Sequence, residues 1–207
     1  MVQKNILNSA VIGFLIALFF LGVFQNLKTQ LPFEIPYPSA VLLLFPLLAV
    51  TGILGASFVG KKFPIFLQAA KFLLVGVLNT FADLGVFNFL LFLTNVDVET
   101  SGIFPTVFKG VSFLVAVLNS YFWNKHWTFK AKVMTQKGDA RKEFGKFFAV
   151  SAVGVLINIG TFHIAVRIIG PQFGITPELW ANVGALAGVF LIMTWNFLAY
   201  KLIVFHK

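Results

Sequence analysis

Six runs of about twenty mostly apolar residues divide this chain, and runs of that length leave it little choice of surroundings. A bilayer core of about 30 Å takes roughly 20 residues of α-helix, which satisfies every backbone polar group within the segment itself. The runs fall at 6–25, 39–60, 70–93, 104–124, 146–168 and 179–200. With 58% hydrophobic residues, 11% charged residues and 27 Phe among 207 positions, the chain is too apolar for one soluble core to hide. The expectation is an all-α polytopic membrane protein with six transmembrane helices. The first run is too long for the apolar part of a secretory signal, and no small-residue cleavage site follows it, so it reads as a retained span.

The basic residues set an expected orientation. Apart from Lys28, Lys109 and Arg167, every Lys and Arg lies at the chain start, around the turn between the second and third runs, in the central connection, or at the chain end. The opposite side keeps Lys28, Lys109 and Arg167 with Glu34, Asp97, Glu99 and Glu178. By the positive-inside rule both termini are cytoplasmic, and the chain is a multi-pass protein of the cell inner (plasma) membrane. The same asymmetry accounts for the net charge of +9, so nucleic acid is not an expected partner. The chain has no cysteine, which removes disulfides, thiol nucleophiles and thiolate metal sites.

Sliding the chain on itself by 75 residues brings KFLLVGVLNTFADLGVF, from Lys71, onto KFFAVSAVGVLINIGTF, from Lys146. A shift of 76 brings SYFWNKHWTF, from Ser120, onto NFLAYKLIVF, from Asn196. Chance resemblance between apolar helices explains shared Phe and Val easily, but less easily a Lys-Phe opening and a Lys-x-x-x-Phe ending at nearly constant spacing. The last four spans therefore read as a duplicated two-helix hairpin, repeats at about 70–130 and 145–206 entering the membrane in the same sense as parallel repeats. Residues 1–66 stand outside this pattern as an additional N-terminal hairpin, with a proline-rich connection between Lys28 and Ser39, and 67–207 form the four-helix domain.

KFLLVGVLNTFADLGVF, NSYFWNKHWTF and NFLAYKLIVF together resemble the GtrA-like family, small membrane proteins associated with moving polyprenyl-phosphate-linked sugars across the membrane. The resemblance covers roughly 67–207. It implies that Asn79, Thr80 and Asp83 match the family's first-helix pattern, and that Asn124, Lys125, Trp127 and Phe129 match its Asn-basic-x-Trp-x-Phe ending. Asn196, Lys201 and Phe205 match a second, weaker ending, in which Tyr200 and Ile203 stand where the first has Asn124 and Trp127.

The polar residues carry their own argument. Lys125 and His126 sit between Trp123 and Trp127, where the fourth helix reaches the interface. An interfacial aromatic anchor is the plain reading of the tryptophans. A lipid phosphate needs a cation and hydrogen-bond donors at that depth, which Asn124, Lys125 and Lys201 supply, and Trp127 is a candidate stacking face for a sugar. Asp83 lies twelve residues past Lys71, about 18 Å into the membrane, where a charge costs about 2.5 to 3.5 kcal/mol. Lys109 comes from the opposite side to a similar depth and is its expected partner. In the second copy Asp83 is replaced by Asn158 and Lys109 by Gly184 or Ala185, so both charges are absent together. Asn79 shares a helix face with Asp83; Ser112, Asn119 and Asn196 can line the same crevice or serve as interhelical glue. His163 and Arg167, four apart near the outer end of the fifth span, read as outward snorkelling.

A glycosyltransferase would need carboxylates in a water-exposed site, and the cytoplasmic connections offer only Asp139 and Glu143, so no enzyme and no cofactor or metal is expected. The leading expectation is a flippase for a polyprenyl-phosphate-linked monosaccharide. Its headgroup-binding residues would be Asn79, Asp83, Lys109, Asn119, Asn124, Lys125, Trp127, Asn196 and Lys201. The alternatives are a non-catalytic membrane subunit that recruits a glycosyltransferase, and a proton-coupled small-solute carrier using Asp83. Membrane lipids, a glycosyltransferase and further copies of the same chain are the other partners this reading admits.

Overall fold

The computed structural model describes residues 2–28, 36–96, 102–130, 137–174 and 176–205. Glu34, Asp97, Glu99, Lys132, Lys207 and most of the proline-rich connection lie outside them, as do the side chains of Lys137, Asp139 and Glu178. Among the described residues six α-helices follow one another: α1 (Val2–Leu27), α2 (Val41–Val59), α3 (Pro64–Thr94), α4 (Phe104–Trp123), α5 (Lys137–His163) and α6 (Pro177–Ala199). Each contributes a segment long and apolar enough to cross a membrane. Within those segments only 11% to 28% of the most apolar window is buried, so the outer faces, with Leu43, Phe92, Leu186 and Phe190 well exposed, are built to meet hydrocarbon. The protein is an all-α, multi-pass membrane protein.

The helices overrun the apolar runs for local reasons. Pro64 occupies the first turn of α3, where its missing N–H would be unpaired in any case, and starts that helix ahead of the expected boundary. α5 begins at Lys137 in the polar sequence KGDARKEFGK, which is mostly composed of good helix formers but carries no hydropathy signal. α4 and α6 each end in a five-residue π-helical turn, Asn124–Thr128 and Tyr200–Val204, and α5 in a six-residue one, Ile164–Ile169.

The chain divides into two compact units, Met1–Phe129 and Lys130–Lys207. In the first, α1 packs on α2 and α3, and α3 on α4. Its core joins Ile12, Ile16, Ile53, Val75, Leu78 and Trp127, and Phe20, Phe45 and Phe81 meet edge to face or tilted beside it. α1 crosses α2 at Gly13, where a Cβ would stand 2.6 Å from Phe45 O and Pro46 Cα. Only glycine allows the backbones so close.

In the second unit α5 and α6 form an antiparallel pair. Gly154 makes room for the Asn196 side chain, Gly188 for Asn158 and Gly184 for Ala165. Trp195 Nε1 donates to Val150 O at 3.0 Å and Trp180 Nε1 to Ala165 O at 2.7 Å. The Ser151 and Tyr200 hydroxyls lie 2.6 Å apart, and the Tyr200 ring stacks on Phe147 at 4.4 Å. Small residues and side-chain hydrogen bonds take the place of hydrophobic burial between these helices, since hydrocarbon solvates apolar side chains as well as a neighbouring helix does.

Candidate functional site

α3 and α4 run antiparallel, and their register brings three polar levels together inside the first unit. Asp83 is held by both neighbours on α4: the Lys109 ammonium lies 2.5 Å from Oδ2 and the Ser112 hydroxyl 2.6 Å from Oδ1. Ser112 is fully buried and also lies 3.0 Å from Lys109 O, but the carboxylate is the stronger acceptor for its one proton. About one helical turn along α3, Asn119 Nδ2 donates to Asn79 Oδ1 at 2.6 Å. Near the end of α4, Asn124 Nδ2 donates to Ser120 Oγ at 3.2 Å and Lys125 Nζ to Tyr121 Oη at 3.0 Å. The expected Asp83–Lys109 contact is thus formed, with Ser112 as a second donor to the carboxylate.

Exposure separates these levels. The Lys109 side chain is 51% exposed and that of Asp83 24%, so the ion pair opens to its surroundings at membrane depth. Lys125 is only 7% exposed, with its ammonium 5.2 Å from the centre of the Tyr121 ring. Asn124 is 1% exposed, and its Oδ1, like Thr128 Oγ1, is buried without a hydrogen-bond partner. The cationic ending read from sequence as an interfacial phosphate site is therefore covered in this conformation.

Trp127 differs most from the sequence reading. It is 1% exposed and packed among Ile12, Ile16, Ile53, Val75 and Leu78, so it offers no open face to a sugar. The π turn beginning at Asn124 is wider than an α turn and re-aims the residues behind it, placing the indole in the core. Its Nε1 donates to Asn5 Oδ1 of α1 at 3.3 Å, and the ammonium of Lys71, itself 3% exposed, lies 5.3 Å from the ring centre. Asn5 and the burial of Lys71 escaped the sequence reading. Asn5 precedes the first apolar run, and nothing in hydropathy tells a buried hydrogen-bond partner from a solvated asparagine.

The remaining two expected residues belong to the second unit. Asn196 fills the Gly154 notch, and its Oδ1 is buried without a partner; Lys201 is half-buried in the π turn that ends α6. This turn and the one at Asn124 close with the same i to i+5 bond, Phe129 N–H to Asn124 O at 2.9 Å and Phe205 N–H to Tyr200 O at 2.8 Å. Each closing phenylalanine meets the phenylalanine that follows an opening lysine, Phe129 with Phe72 and Phe205 with Phe147.

A family model described as GtrA/DPMS, transmembrane domain, matches residues 71–205. Neither curated proteins nor solved structures gave a match. The matched stretch runs from within α3 through the final π turn and includes every expected site residue. The chain belongs to the GtrA/DPMS transmembrane-domain family, membrane proteins of the lipid-linked-sugar flippase kind.

Proposed function

We propose that this protein carries a polyprenyl-phosphate-linked monosaccharide from the cytoplasmic to the outer leaflet, for polysaccharide or cell-envelope glycosylation, while the prenyl tail stays in the bilayer. It acts as a carrier and not as an enzyme. The reading rests on one observation above the others: a half-exposed lysine within an apolar span is paired with a less exposed carboxylate and lined up with Asn79 and Asn119. A phosphate crossing hydrocarbon needs a cation on its way, and Lys109 can exchange Asp83 for the phosphate, an exchange that leaves the carboxylate without its ammonium. During that exchange Ser112 still donates to the carboxylate, and the two asparagine amides offer donors and acceptors to sugar hydroxyls.

Lys125 serves as the entry cation in this scheme and must leave the Tyr121 hydroxyl to reach a headgroup; Lys201 has the corresponding role on its own π turn. The four helices from α3 onward act as two parallel repeats, with residues 1–66 an added hairpin. The test is purified protein in liposomes with a labelled polyprenyl-phosphate monosaccharide and an outer-leaflet accessibility assay. Flipping that falls in Lys109→Ala, at unchanged folding, supports the reading. Liposomes that show no flipping, with a glycosyltransferase retained by the protein, favour the recruiting subunit, and lipid-independent solute uptake driven by a proton gradient favours the coupled carrier.

A further inference from the structure

A second feature of the first unit lies at the opposite end of α1 from Asn5 and Lys71. There α1 and α3 part around a cleft of about 300 Å³ lined by Gly22, Gln25, Asn88, Phe89 and Phe92. Its volume is about twice that of a cavity able to take a benzene ring, enough for a length of hydrocarbon chain. Both helices span the membrane, and Phe89 and Phe92 are largely exposed, so the cleft opens to lipid. Its polar residues are graded along α1. Gly22 leaves the floor bare, since a Cβ there would meet nothing within 4 Å. One turn on, Gln25 Oε1 accepts from Lys28 Nζ at 2.9 Å and holds that ammonium near the rim. Six residues at the helical rise put Lys28 about 9 Å beyond Gly22 along the axis of α1.

We infer that this cleft binds a phosphate-bearing anionic lipid, with its chain over Gly22 between Phe89 and Phe92 and its phosphate on Lys28. The charge complementarity selects the class, because the Lys28 ammonium is held by Gln25, a residue of the cleft lining. An ordinary phospholipid and a polyprenyl phosphate share this chemistry. The site goes beyond the transport reading and does not depend on it.

The test measures lipid retained by the full chain, by native mass spectrometry after extraction from vesicles of phosphatidylglycerol, of phosphatidylcholine with the same chains, or of phosphatidylcholine doped with a polyprenyl phosphate. Wild-type protein should retain an anionic lipid in preference to phosphatidylcholine. Gly22→Leu fills the cleft and should abolish retention; thermal unfolding should show it at least as stable as wild type, since leucine favours helix over glycine. Lys28→Gln should keep chain binding but lower the anionic preference by about fivefold, roughly the worth of one lysine near an anionic surface. Competition between the two anionic lipids identifies the source. If Gly22→Leu loses retained lipid yet still flips the labelled sugar lipid, the site holds an ordinary phospholipid and the proposed function stands. Retention unchanged in Gly22→Leu, or no lipid retained by the wild type from any vesicle, overturns the inference.

Discussion

Asp83 and Lys109 compensate each other inside a poor solvent, so each single removal strands the other. Asp83→Asn or Lys109→Ala should each lower stability by up to about 2.5 to 3.5 kcal/mol, the cost of one charge at the bilayer centre. The double variant copies the neutral residues that align with the pair in the sequence, Asn158 and Gly184 or Ala185, and should recover much of that loss, which thermal unfolding of the four proteins measures. Losses that merely add would deny the coupling. This pair was legible in the sequence because depth is arithmetic: two charges counted from opposite ends reach the same level. The place of Trp127 was not legible. Tryptophan's preference for the interface is a statistical property of the side chain, whereas its burial here depends on Asn5, more than a hundred residues away. Asn5→Ala leaves the indole N–H buried and unpaired, at a cost of about 1 to 3 kcal/mol, and should shift the tryptophan emission; Trp127→Phe in the same background should suppress most of the added loss. An Asn5→Ala protein as stable as wild type would count against the buried bond.

Elements were read well where hydropathy decides and poorly where backbone geometry does. Six apolar runs became six helices, but a π turn is an i to i+5 bond with no signature in apolar spacing, and the polar start of α5 has none either. Equal spacing aligned the endings of α4 and α6 in the sequence, and both helices end in π turns. How closely two helices pack also depends on single glycines that a hydropathy reading passes over. At Gly13 the obstructing atoms are the Phe45 and Pro46 backbone, which cannot turn aside. Gly13→Val should therefore pry α1 from α2, with a loss of about 1 to 3 kcal/mol or more as an overpacked contact. At Gly154 the obstruction is the Asn196 side chain, free to change rotamer, so Gly154→Ala should cost less despite an equally short distance. Denaturation midpoints of the two variants should fall in that order, and the reverse order would show that the α1–α2 crossing is looser than its geometry implies.

At the scale of the molecule, orientation in the bilayer follows from charge, and the strongest signal lies in connections rather than helices. Lys61 and Lys62 mark one end of the first unit, the end that also holds Asn5, Lys71 and the π turn at Asn124. Lys28 and the cleft mark the other. If the lysine-rich end is cytoplasmic, Lys125, proposed above as the entry cation, lies at the cytoplasmic end, Lys109 partway across, and Lys28 at the far end. The reverse orientation would put the covered cations outside and undo the direction of transport, though not the fold. The chain has no cysteine, so a single introduced one reports its own side. Lys137→Cys and Lys207→Cys should react in intact cells only with a reagent that crosses the membrane, and Asp97→Cys with one that does not. Full labelling of Lys137→Cys by the impermeant reagent would invert the assignment. Labelling of Lys137→Cys and Asp97→Cys from the same side would break the six-span arrangement itself, since only α4 separates the two positions and a single crossing must place them on opposite faces.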